Sequence, residues 1–70
     1  MKSVKITSEF ITLGQFLKFA NIIDSGAMAK DYLKTTKIIV NEQEENRRGR
    51  KLYPGYIIQI EKTTYIIGKE

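Results

Sequence analysis

The chain has 70 residues, 41% of them hydrophobic and 29% charged, with no cysteine and no histidine. These figures fit one small soluble domain that buries only about 60% of its unfolded surface. They exclude a disulfide scaffold, a thiolate zinc site, a histidine-based metal site and a Ser-His-Asp triad. No apolar run exceeds four residues, so neither a membrane span nor a signal-peptide core is expected. A cysteine-free small chain fits a cytoplasmic location.

Ser3–Thr7 alternates polar and apolar residues and reads as a half-buried strand. Thr12 with Gln15 three residues on forms a capping box, and Ile11 with Phe16 occupies the staple positions of the same helix. Leu13, Phe16, Leu17 and Ala20 follow at helical spacing and predict a helix from Leu13 to Ile22 or Ile23. Asp24-Ser25-Gly26 interrupts it, and either Asp24 or Ser25 could cap a second helix over Ala27–Lys34. On that helix Ala29, Tyr32 and Leu33 share one face, and Lys30 and Lys34 share another. Phe10, Phe16, Phe19 and Tyr32 read as core.

From Lys37 the pattern becomes β. Ile38–Val40 predicts a strand, Asn41–Gln43 a turn, and the polar stretch Glu44–Lys51 a loop or irregular edge strand. Tyr53-Pro54-Gly55-Tyr56 carries the Pro and Gly of a type II turn; packing of its two tyrosines against the sheet is expected over exposure. Ile57–Ile60 and Tyr65–Ile67 predict strands joined by a hairpin loop at Glu61–Thr64. The order gives an α+β fold: two short helices, paired like a helix-turn-helix, packed on a small, mostly antiparallel sheet of four or five short strands.

Catalytic chemistry has little to work with. The only adjacent acids, Glu44 and Glu45, lie in a polar stretch where both should be solvated and titrate normally. No phosphate-binding glycine motif is present, and the glycines are isolated. The chain is therefore read as a non-enzyme that needs no cofactor, metal or small-molecule substrate.

Charge is more informative. Twelve basic and eight acidic residues leave +4, and Arg47, Arg48, Arg50 and Lys51, clustered around Gly49, account for all of it. Arginine presents a planar fork of donors that matches phosphate, so an anionic partner is one reading. A solubilising loop, or arginines paired with Glu42, Glu44 and Glu45, is the other, and composition does not separate them. Lys30, Lys34 and Lys37, taken alone, read as a solvated helix face.

The order and spacing of these segments resemble the RNA-binding domain first seen in ribosomal protein S-four, the alpha-L motif. The resemblance covers about Thr12–Ile60. Thr12–Lys18 stands where that family opens its first helix, Ser25–Lys30 where it opens its second, Ile38–Asn41 at its strand and turn, and Gly55-Tyr56 before its last strand. Gly26 replaces the family's first helix-two arginine, and Glu42 its usual turn glycine. Small stand-alone, YaaA-like members from Gram-positive bacteria are more similar still, across Ile11–Lys18, Gly26–Lys30 and Asn46–Leu52.

The resemblance implies a non-catalytic module for structured or ribosomal RNA. It implies contacts from Lys30 and Lys34, from Asn41 at the turn, and from the basic run Arg47, Arg48, Arg50 and Lys51; Lys37, just after helix two, joins the candidates by its charge. The rival is a protein-interaction adaptor, docking the basic loop on an acidic partner in replication, recombination or ribosome-associated complexes. DNA reading by the helix pair is disfavoured, because helix two offers lysines without the Asn, Gln or Arg of base readout.

Overall fold

A computed structural model describes residues 1–70. Strand β1 spans Lys2–Ile6 and β2 Ile11–Thr12; helix α1 spans Leu13–Phe19, a 3-10 turn Gly26–Met28, and helix α2 Ala29–Thr35. Then follow β3 (Ile38–Val40), β4 (Gln43–Glu44), β5 (Lys51–Leu52), β6 (Ile57–Ile60) and β7 (Thr63–Lys69). The main sheet has the order β1-β7-β6-β3-β4, with β1 parallel to β7 and every other pair antiparallel. A second, two-stranded ladder pairs Ile11 with Leu52 and Thr12 with Lys51. The expected α+β architecture is present, with five strands in the main sheet and a small extra ladder that the sequence did not reveal.

The core joins helices to sheet. Leu13, Phe16 and Leu17 of α1 and Ala29 and Leu33 of α2 are buried with Ile38, Val40, Ile58, Ile60 and Ile67 of the sheet. Phe16 and Tyr65 meet edge to face at 5.3 Å. No helix is long and apolar enough to cross a membrane.

Helix α1 starts where its capping box predicts. The Gln15 amide donates to Thr12 Oγ1 at 3.3 Å, and the Thr12 amide donates to Gln15 Oε1 at 2.9 Å. Thr12→Ala should therefore lower stability by about 1 kcal/mol in a thermal or urea melt. An unchanged melt would show that the cap contributes nothing.

The helix ends earlier than expected. Asn21 takes φ 60, its amide donates to Lys18 O, and the Ile22 amide reaches back to Leu17 O at 2.9 Å. This is a Schellman closure, with Asn in the position usually held by Gly. Ile22 and Ile23 still reach the core from outside the helix, which is why apolar spacing placed them within it. Phe19 does not join the core; it is 62% exposed. Phe10 and Tyr32 are only half-buried. Ser25 precedes the 3-10 turn in extended conformation but makes no side-chain cap, and neither does Asp24. Helix α2 runs one residue past Lys34, where Thr35 Oγ1 folds back on the Asp31 and Tyr32 carbonyls.

Two turns set the frame for the following site. Asn41 and Glu42 join β3 to β4 with φ 49 and 70, the double positive φ of a type I′ hairpin. Gly55 has φ 95 and the Tyr56 amide donates to Tyr53 O at 3.0 Å, as the type II turn predicts.

Candidate nucleic-acid interface

The stretch from Glu45 to Lys51 is polar throughout, yet it does not float free. Glu45 is only 8% exposed, and is the one charged residue that is buried. The expectation that Glu44 and Glu45 are both solvated thus fails at Glu45. Its backbone amide donates to Ile38 O at 2.8 Å, which turns its side chain under the loop. Its Oε2 accepts the Arg47 amide at 3.0 Å and Arg47 Nε at 2.9 Å; its Oε1 accepts Arg47 Nη2 at 3.1 Å and Arg50 Nη1 at 2.8 Å. Four donors on one carboxylate stabilise its charged form. The Arg47 hydrogen bonds, aided by Arg50 and opposed by desolvation, pull the Glu45 carboxyl down to about 2 from an ordinary 4.5. The same pairing raises the Arg47 guanidinium above its usual value.

A group with a depressed folded pKa stabilises the fold above its unfolded pKa and loses that contribution as protons bind. Stability should therefore fall as pH drops from about 4.5 towards about 2. In melts at successive pH values Glu45→Gln should remove part of that fall. An identical acid profile in the variant would contradict the pairing.

The loop is also bolted to α1. The Leu13 amide donates to Arg50 O at 2.8 Å and the Gly14 amide to Arg48 O at 2.9 Å. Two amides that a helix leaves unpaired at its start are thereby satisfied by the loop's own carbonyls. The packing is close there: a Cβ added at Gly14 would sit 3.4 Å from Arg48 O and 3.5 Å from Arg48 Cβ, in ordinary van der Waals contact. The Arg50 amide donates to Arg47 O at 3.1 Å, closing the turn that carries Arg48 and Gly49.

This frame sets Arg48 beside α2. Lys30, Leu33 and Lys34 of the helix, with Asn46 and Arg48 of the loop, line a shallow cleft of about 300 Å³. Three cations and no acid line it, and no ion pair holds any of the three. A second cleft shares Arg48 and adds Lys18, Gly26 and Gly49.

The other candidates lie elsewhere or hold the frame. Lys37 lines a cleft with Gln59, Glu61 and Lys62, apart from Lys30 and Lys34. Asn41 Oδ1 accepts the Ile57 amide at 2.9 Å, and its own amide donates to Ile57 O at 2.8 Å, clasping the hairpin to β6. Arg47 and Arg50 grip Glu45, and Lys51 Nζ lies 4.9 Å from the centre of the Phe10 ring. Asn46 and Lys18 were not singled out from sequence. Both lie within the segments Asn46–Leu52 and Ile11–Lys18 that carry the resemblance, which is the signal that could have found them.

A family model described as "S4 domain" matches residues 4–68. The match runs beyond Thr12–Ile60 to include most of β1 and β7, the strands that pair at the parallel edge. A curated protein of Bacillus subtilis (strain 168), named "Probable ribosome maturation protein RlbA", is 53% identical over 58 residues, covering 83% of this chain and 82% of the relative.

Proposed function

The chain belongs to the S4 domain family, and on that premise we propose that it binds structured RNA without catalysing a reaction, holding phosphates in the cleft between α2 and the 45–51 loop. The carrying observation is the convergence of Lys30, Lys34 and Arg48 on an acid-free cleft next to a loop fixed by Glu45. Arg48 can bind a phosphate through two parallel N–H donors, and the lysines add point charges. Asn46 supplies a neutral donor. A-form RNA hides its base edges in a deep, narrow major groove, so phosphate spacing and helix shape are what such a surface reads.

A loop already held in place loses little entropy on binding, so more of the contact energy appears as affinity. Arg47 keeps 72% of its side chain exposed while pairing with Glu45. It and Lys51 extend the basic surface, with Arg50 holding the loop from beneath and Asn41 and Lys37 at the periphery. The likeness to a relative named for ribosome maturation supports ribosomal RNA, or a maturing ribosomal particle in the cytoplasm, as the partner.

The test is affinity for an RNA hairpin as a function of salt. With three to five phosphates neutralised, log affinity should fall with log salt at a slope of roughly −2 to −4. A slope of zero would remove phosphate contact as the basis of binding. Retention on ribosomal particles that survives nuclease digestion of accessible RNA would favour the adaptor reading.

A further inference from the structure

Beyond the cleft, the seven aromatic side chains divide into distinct sets. Phe16 and Tyr65 are core. Phe10, Tyr53 and Tyr56 instead form a row at the surface, with successive ring centres 5.7 Å apart. Phe10 and Tyr56 are half-buried, and Tyr53 between them is 37% exposed. Its neighbours are inclined to it by 44° and 57°, so neither lies flat on its face as a stacked ring would. The type II turn holds Tyr53 in position: Tyr53 O accepts the Tyr56 amide, and the Gly55 amide is anchored on Ile67 O at 2.7 Å.

Each end of the row carries a cation from the basic loop. Lys51 Nζ lies over Phe10, and the Arg50 guanidinium lies 5.9 Å from the centre of the Tyr56 ring. Strand β5 leads directly from the basic loop into the row, so Arg48 of the cleft and the cations beside the row belong to one short segment of chain. A cation beside aromatic rings suits a single strand: Lys51, which no carboxylate holds, can take a phosphate while Arg50 stays on Glu45, and a ring takes the flat face of an unpaired base. Tyr53 packs against its two neighbours without being needed to close the core.

We propose that the Phe10–Tyr53–Tyr56 row is a stacking site for an unpaired nucleobase, centred on Tyr53, so that the protein selects RNA in which a helix passes into single strand. The proposal rests on the phosphate cleft reading and adds the class of RNA that the surface prefers.

The test uses the full chain and two hairpins with the same stem, one blunt and one with a short unpaired extension carrying 2-aminopurine. The extended hairpin should bind about tenfold tighter than the blunt one, with quenching of the 2-aminopurine. Tyr53→Leu keeps apolar bulk but removes the ring; it should abolish both the preference and the quenching. It should leave blunt-hairpin affinity and the salt slope unchanged, because stacking releases no counterions. Tyr53→Phe should preserve both signals. Equal affinity of the native chain for the two hairpins, or a Tyr53→Leu variant that keeps the preference, would overturn the stacking site while leaving the phosphate cleft standing. A blunt hairpin that binds without salt dependence would overturn the cleft reading itself. A Tyr53→Leu variant that weakens both hairpins equally would make Tyr53 a structural residue and end the proposal.

Discussion

Changing Lys30, Lys34 and Arg48 together to glutamine should lower affinity for structured RNA about a hundredfold and make the salt slope shallower by about two to three units. The slope follows from three lost phosphate contacts at roughly 0.7 each on a single strand to roughly 0.9 each on a duplex. The affinity follows from about 1 kcal/mol per exposed charge-assisted contact, or ~3 kcal/mol in all. None of the three side chains forms an ion pair or is buried, so the melt of the variant should match that of the native chain. A charge-matched comparison removes Lys2, Lys5 and Lys62, which are exposed and lie outside the cleft. That second variant should bind nearly as well as the native chain. Equal losses in the two triples would mean that net charge alone attracts RNA.

Glu45→Gln should weaken RNA binding about tenfold although it raises the net charge from +4 to +5. A purely Coulombic surface would bind an anion more tightly after losing a carboxylate. Here the carboxylate gathers Arg47 and Arg50 under the turn that presents Arg48. Glutamine can accept from one guanidinium, but its own amide hydrogens would face the other. Arg48 would then sample many positions, and the entropy of fixing it would fall on the binding step. Stability should drop by about 1–2 kcal/mol as hydrogen bonds to the charged group are lost. Glu44→Gln makes the same charge change at an exposed neighbour with no ion pair. It should bind RNA as tightly as the native chain or slightly better. Tighter binding by the Glu45 variant would contradict its role in the frame.

Features written in short-range chemistry were legible before the structure. The capping box at Thr12 and Gln15 and the type II turn at Pro54-Gly55 each need only a few neighbouring residues to form. The extents of elements were less legible. Asn21 closes α1 while Ile22 and Ile23 keep pointing into the core, and apolar spacing is blind to that change of backbone. The ladder of β2 with β5 escaped notice because Ile11 and Leu52 pair across 41 residues and each strand is two residues long.

The candidate site divides in the same way. Lys30 and Lys34 share a helix face by simple spacing, and the arginine run was visible as composition. Which of two adjacent glutamates turns inward was not, because the choice is made by the Glu45 amide bonding to Ile38 O and by two arginines that close on the carboxylate. The sequence therefore showed the charge of the loop but not that Arg47 and Arg50 brace it while Arg48 faces α2.

The most direct measurement is a titration of the 15N-labelled chain with a hairpin RNA, following backbone amide and arginine Nε resonances by nuclear magnetic resonance. At 8.1 kDa the chain is well suited to it. The account predicts that the largest shifts fall on Lys30, Lys34, Asn46, Arg48 and Gly49, with the Arg47 Nε–H resonance sharp both before and after RNA is added because Glu45 holds it throughout. Largest shifts around Lys37, Gln59, Glu61 and Lys62 instead, with the α2 cleft unmoved, would contradict it.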